Sequence, residues 1–94
     1  MSDIVIKDRP ELEYYEIEVD GTRAGLAAYE IEDEVIAFTH TEVGDAYGGR
    51  GLGSRLIRFA LDDARTRGLK VEPTCPFVKT WIGRHEDYQD LLAP

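Results

Sequence analysis

The chain has 94 residues, 19 acidic against 11 basic side chains, a net charge of −8 and a hydrophobic fraction of 43%. A chain this short builds one core, so a single domain over residues 1–94 is expected, and the ordinary apolar content argues against disorder or a fibre. Nucleic acid is disfavoured as a partner because it is held through a basic footprint, and no apolar run approaches the roughly 18 residues of a bilayer span, so no membrane partner is expected either.

The single cysteine, Cys75, leaves no internal disulfide, and the N-terminus lacks the basic-then-apolar pattern of a signal peptide. The expected location is therefore cytoplasmic. The arginines Arg50, Arg55 and Arg58 gather around one glycine-rich stretch, while the acids concentrate before residue 46 and after residue 85. Any electropositive region belongs at that stretch.

In chain order, residues 4–6 form a short apolar run ending near Arg9-Pro10, which reads as an edge strand because proline interrupts a ladder. From Tyr14 the pattern alternates, with Tyr15, Ile17 and Val19 on one face and Tyr14, Glu16 and Glu18 on the other, the period of a half-buried strand. Asp20-Gly21 supplies a tight hairpin turn, and residues 24–31 give the next strand despite Gly25 within it. A turn at Glu32-Asp33-Glu34 leads into a third strand over residues 35–43. There Val35, Ala37, Thr39, Thr41 and Val43 alternate with Ile36, Phe38, His40 and Glu42, and apolar residues on both faces predict a central strand covered on both sides.

A glycine-rich loop follows Gly44. Beyond it Leu52, Leu56, Ile57, Ala60, Leu61 and Ala64 mark one stripe of a helix that stops at Gly68, with Arg65 and Arg67 suited to its C-terminal dipole. Residues 69–74 form a short strand, so the strand, helix, strand order predicts a parallel pair whose ladder ends at Pro73. A second helix is expected to start at Pro76 with Phe77, Val78, Trp81, Ile82 and His85 facing inward, and residues 86–92 to add one more helical turn. The expected class is α/β in an α+β order: a mixed sheet with an antiparallel N-terminal meander, then a βαβ crossover and a C-terminal helix.

The loop Gly48-Gly49-Arg50-Gly51-Leu52-Gly53-Ser54 lies between a strand and a helix, where backbone N–H groups and the unsatisfied donors of the helix start can converge on a phosphate. Its plainer alternative is a flexible solvated turn. A Walker loop fails, since Arg50 and Gly51 stand where Lys and Ser/Thr belong, and a Rossmann fingerprint fails because its third glycine falls on Ser54 or Leu56.

Gly51-Leu52-Gly53 resembles the G-x-G part of the acetyl-CoA diphosphate loop of the GNAT superfamily, with Gly48 in place of the leading Arg or Gln. His40-Thr41-Glu42-Val43, the helix over residues 60–68, and Cys75-Pro76-Phe77-Val78 with Trp81 and His85 resemble its compact single-domain branch. The resemblance implies acetyl-CoA or coenzyme A as co-substrate. It places the diphosphate on Gly48, Gly49, Arg50, Gly51, Leu52, Gly53 and Ser54, and the pantetheine beside Thr41, Glu42, Val43, Cys75 and Phe77.

It further implies an N-acyltransferase acting on an unidentified amine, as a monomer or weak dimer, with no metal. Amine attack on a thioester needs a base, an oxyanion donor and an acid for the thiolate. The backbone N–H near Val43 suits the second, and His40 or Glu42 the first; His40, placed with Ile36 and Phe38, equally suits a structural histidine. Cys75, just before a helix, is either an acyl-accepting thiolate or a small residue packed beside the cofactor. His85 and Tyr88 read as packing residues and Trp81 as core. The rival functions are a non-catalytic acyl-CoA-binding or sensing module and a small interaction domain that keeps only the fold.

Overall fold

Three hairpin connections, two of them tight two-residue turns, and one crossover generate the topology. In the computed structural model, which describes residues 3–94, the order is β1 (Ile4–Arg9), β2 (Tyr14–Val19), β3 (Thr22–Glu32), β4 (Val35–Val43), α1 (Leu52–Thr66), β5 (Lys70–Pro73) and α2 (Pro76–Gly83). Short 3-10 turns lie at Asp45–Tyr47 and Glu86–Leu91. The five strands pair in sequence order, antiparallel from β1 to β4 and parallel between β4 and β5. The expected class and order of elements are found.

The β2–β3 turn has positive φ at both Asp20 and Gly21, and the β3–β4 turn at both Asp33 and Glu34. This is the turn geometry that matches the right-handed twist of a two-residue hairpin. Gly25 sits inside β3 because a Cβ there would lie 2.6 Å from the Glu42 carbonyl oxygen of the neighbouring strand. β1 runs further than its apolar start, since Arg9 at its end pairs with Glu16 at 2.6 Å and shields that buried carboxylate.

α1 follows the stripe read from sequence: Leu52, Leu56, Ile57, Ala60, Leu61 and Ala64 are all buried, packed over Tyr15, Ile17, Ala27, Tyr29, Ile36, Phe38 and Val71 of the sheet. Leu56 is fully buried, so truncating it to alanine costs about 2–5 kcal/mol. The Tyr15 hydroxyl donates to Asp63 of α1 at 2.5 Å and the Tyr29 hydroxyl to Asp8 at 2.6 Å, while Arg67 lies 3.5 Å from Asp63 and 3.6 Å from Asp8. These bonds fasten the C-terminal half of α1 to the first three strands.

α2 packs on the same side as α1. Trp81 donates its indole N–H to Ser54 Oγ at 2.8 Å, and the Arg58 guanidinium lies over the Trp81 ring. Helices therefore cover one face of the sheet only, which corrects the expectation that β4 is covered on both sides. Ile36 and Phe38 are fully buried under the helices, whereas Val35 and Ala37 are half-buried and Thr39 is exposed on the other face. Small and aliphatic residues there are tolerated because isolated exposed apolar groups cost little.

A second correction concerns the alternation along β4. Tyr29 pairs with Phe38 but Ala28 with His40, so Thr39 is an extra residue, a β-bulge. A bulge shifts the side-chain phase by one. His40 and Glu42 therefore do not face with Ile36 and Phe38; they are exposed on the uncovered face, and Thr41 and Val43 turn towards the helices.

Candidate functional site

The bulge sits where the parallel pair ends. β5 pairs with β4 from Val35 to Phe38, the final pair being Phe38 with Pro73, and beyond that point β4 continues to Val43 with β3 on one side and, among the described residues, no strand on the other. Pro73 has no N–H to extend the ladder. The chain after it is held instead by the Cys75 N–H, which donates to the Phe38 carbonyl at 2.8 Å. Two adjacent strands thus part at Phe38, and α2 begins on the far bank of the gap.

The glycine loop closes the open end of that gap. Gly49 and Gly51 adopt positive φ, 76° and 72°, and Gly51 is the N-cap of α1 without any side-chain capping bond. Among the described residues no side chain caps the first N–H groups of this 15-residue helix, a setting that suits an anion. Gly53 lets the loop approach α2: a Cβ there would meet Phe77 Cζ at 2.9 Å and lie 3.5 Å from Val43 Cγ2. Val43, Tyr47, Gly48, Gly49, Gly51, Leu52, Gly53, Ser54 and Phe77 line a groove of about 320 Å³ at this point. No carboxylate lines it, although the loop is preceded by Asp45.

Of the sequence-predicted residues, Cys75 meets Thr41 across the parting strands, with Sγ 3.5 Å from Thr41 Oγ1. Burial pushes the Cys75 thiol up, but hydrogen bonding from Thr41 and from the backbone of Val78 and Phe77 outweighs it, and the pKa lies below the ordinary thiol value. The larger lowering contribution is the Thr41 hydroxyl, and the backbone N–H groups of Val78 and Phe77 at the start of α2 add to it. Cys75 is nonetheless only 6% exposed.

His40 and Glu42 are not brought to Cys75. They pair with each other, Nε2 to Oε2 at 3.0 Å, with side chains 63% and 60% exposed on the uncovered face. That face also carries a trough of about 650 Å³ lined by Glu30, Glu32, Asp33 and Glu72 around Val35, Ala37 and Pro73. In register, Glu30 and Glu72 flank Ala37 from the two neighbouring strands.

Phe77 was expected to face inward and does not. It is 45% exposed and forms one wall of the loop groove, while Val78, Trp81 and Ile82 carry the buried stripe of α2. His85 was also placed on the inward stripe of that helix, but α2 ends at Gly83 and His85 is half-buried beyond it. Its Nδ1 lies 2.6 Å from the Trp81 carbonyl, and its ring is stacked on the indole at 3.6 Å. Tyr88 bonds Asp62 and Arg58 and takes part in packing. The Arg50 guanidinium lies over the Tyr47 ring beside the loop.

Residues 14–91 match the GCN5-related N-acetyl-transferase family. The chain belongs to that family. It is 35% identical over 74 residues to Protein NATD1 of Mus musculus and of Homo sapiens, a match covering 77% of this chain and 67% and 66% of those proteins. The solution structure of a GCN5-like chain from Staphylococcus aureus superposes with a TM-score of 0.76 at 27% identity, covering 99% of this chain and 91% of the other. The ribosomal-protein-S18-alanine N-acetyltransferase of Escherichia coli shares the fold, with a TM-score of 0.66 at 16% identity over 95% of this chain and 77% of that one.

Membership agrees with the parted strands and the loop at the helix start, and among the described residues no helix is long and apolar enough to cross a membrane. Sequence reasoning missed the Thr41 to Cys75 contact, because it joins residues 34 apart through the strand gap. It also missed Thr80 and Arg84, which line a second groove on α2. Their signal was present: Phe77, Thr80 and Arg84 recur at helical spacing on the side opposite Val78 and Ile82.

Proposed function

We propose that this chain is an acyl-CoA-dependent N-acyltransferase, using acetyl-CoA and transferring the acyl group to the nitrogen of an amine by direct attack on the thioester. The observation that carries this reading is the uncapped α1 N-terminus, with Gly49 and Gly51 in the left-handed region, opening into the gap where β4 leaves β5. The residues fit an acyl-CoA: backbone N–H groups of residues 48–54 suit a diphosphate, and a Cβ at Gly53 would crowd the cradle against Phe77. The β4 edge over Thr41, Glu42 and Val43, facing Cys75 and Phe77, suits the pantetheine amides.

The amine approaches from the uncovered face, whose carboxylates favour an ammonium ion. Glu42, hydrogen-bonded to His40, takes the ammonium proton. The nitrogen then attacks the carbonyl carbon, the carbon–sulfur bond breaks, and the coenzyme A thiolate leaves with the second proton that the nitrogen sheds as the amide forms. A backbone N–H near Val43 supports the oxyanion. In this scheme Cys75 packs beside the thioester.

The lowered Cys75 pKa supports a second route, in which its thiolate attacks the thioester and expels the coenzyme A thiolate, and the amine then attacks the acyl-cysteine and returns the Cys75 thiol. Release of free coenzyme A thiol from acetyl-CoA, assayed with a panel of amines, tests the function. Amine-dependent release supports it, and binding without release would leave a non-catalytic acyl-CoA module. Cys75→Ala separates the routes, since normal turnover by that variant excludes the acyl-cysteine.

A further inference from the structure

We infer that two copies of this chain pair through the outer edge of β1, antiparallel about a two-fold axis at Ile6, joining their sheets into one. β1 is the sheet edge away from the glycine loop and the strand gap, so the pairing does not depend on acyl-CoA binding. The two edges of the sheet differ. Along β5, Leu92 bridges to Val71 and the Ala93 N–H donates to the Val71 carbonyl at 2.8 Å, so the C-terminal segment covers that edge. Beyond β1, among the described residues, there is no strand. An uncovered edge is a row of backbone donors and acceptors open to another chain.

The ladder determines which groups face outward. The Asp20 N–H donates to the Asp3 carbonyl at 2.8 Å, and the β1–β2 register runs without a shift from Ile4–Val19 to Arg9–Tyr14. Hydrogen-bonded pairs alternate in an antiparallel ladder. Asp3, Val5, Lys7 and Arg9 therefore turn their backbone to β2, and Ile4, Ile6 and Asp8 turn theirs outward. The bond from the Tyr29 N–H to the Glu13 carbonyl, 2.9 Å, gives the same phase from the β2–β3 side. Setting Ile6 against Ile6 of a second copy places Ile4 opposite Asp8 on each side of the axis. Every outward N–H and C=O of these three residues then has a partner.

The side chains fit a copy of the same strand. The charges that would guard an edge are already neutralised within the chain: Lys7 pairs with Glu18 at 3.3 Å, Arg9 with Glu16 at 2.6 Å, and Asp8 accepts from the Tyr29 hydroxyl and lies 3.6 Å from Arg67. On the uncovered face the same register sets Asp3 opposite Arg9 and Val5 opposite Lys7. Asp3 is exposed and belongs to no ion pair among the described residues, while the Arg9 side chain stays 39% exposed beside Glu16. Opposite charges directly across a ladder stabilise the pairing. Val5, 48% exposed, comes under the aliphatic stem of Lys7. This edge is thus self-complementary in charge, as a two-fold interface requires, and that favours a second copy over an unrelated strand.

Sedimentation equilibrium of the whole chain tests this at about 0.15 M salt, where a Debye length of about 8 Å screens the repulsion between two chains of charge −8. The wild type is expected to show a monomer–dimer equilibrium between roughly 10 μM and 1 mM. Asp3→Lys sets like charges across the ladder and should weaken the dimer about tenfold or more, even though it lowers the net charge. Glu86→Lys, the same charge change on an exposed residue of the Glu86–Leu91 turn, should not weaken it. Ile6→Pro removes an outward N–H and no bond to β2, and should leave a monomer that circular dichroism shows folded; Asp3→Lys carries the test should the proline unfold the chain. Amide exchange at Ile6 should slow as the wild type is concentrated. A wild type that stays monomeric at about 1 mM overturns the inference and leaves the edge to another protein's strand or to solvent. A dimer as tight in Asp3→Lys as in the wild type, or unchanged exchange at Ile6 across a dimerising range, overturns it by placing the contact elsewhere.

Discussion

Phe38 and His40 stand two residues apart on β4 and face opposite sides of the sheet, Phe38 fully buried and His40 exposed. The unpaired Thr39 between them makes the difference. The bulge and the end of the β4–β5 ladder coincide, so the same few residues open the strand gap and put the His40–Glu42 pair on the side away from the helices.

If Glu42 takes the amine proton there, Glu42→Gln lowers kcat by about 100-fold or more and leaves the acetyl-CoA dissociation constant unchanged. His40→Gln, which removes only its hydrogen-bonding partner, lowers it less. Steady-state kinetics beside calorimetry separates the two parameters, and an unaltered kcat in Glu42→Gln removes that residue from the mechanism.

Gly53→Ala distinguishes binding from folding. Gly53 lies in the first turn of α1, where alanine is the better helix former by roughly 1 kcal/mol, so the melting temperature should hold or rise. The new Cβ meets Phe77 Cζ at 2.9 Å and pushes that exposed ring into the groove. We expect acetyl-CoA affinity to fall about tenfold, the effect of roughly 1.4 kcal/mol of lost contact.

The Cys75 thiol should be alkylated by iodoacetamide with a pH midpoint below that of a free cysteine, near 8.5, since hydrogen bonds to the sulfur outweigh its burial. Thr41→Val removes one of those bonds and should move the midpoint up. Rates will be slow at every pH because the sulfur is largely buried.

Alkaline pH should unfold the protein. Burial raises the Tyr15 and Tyr29 phenols above their ordinary value, and hydrogen bonds to Asp63 and Asp8 add to it. A group whose pKa rises on folding contributes its full stability below the unfolded value, about 10 for a phenol, and loses it as pH climbs beyond that. Chemical denaturation should therefore give a constant midpoint from neutrality to about pH 9 and a falling one above about pH 10. Tyr15→Phe should flatten that fall while lowering stability at neutral pH.

Much of this was legible in the sequence where a period repeats. The buried stripe from Leu52 to Ala64, the β4 bounds and the end of the parallel ladder at Pro73 all follow from spacing and from proline's missing donor. The bulge left no mark, because Thr39-His40-Thr41 reads as unbroken alternation and the extra residue exists only relative to β3. One-sided coverage was hidden for a related reason: Val35 and Ala37 are apolar enough for a core, yet the acidic neighbours Glu30 and Glu72 beside them lie on other strands. Phe77 misled because an aromatic at helical spacing is usually core, and here it walls a groove.

The proposed acyl-CoA site lies at the start of α1. Titration of the chain with acetyl-CoA, followed through backbone amide NMR shifts, tests it most directly. We predict large shifts confined to residues 42–54 and 75–77; an unchanged spectrum at millimolar acetyl-CoA would mean that the chain holds no acyl-CoA there.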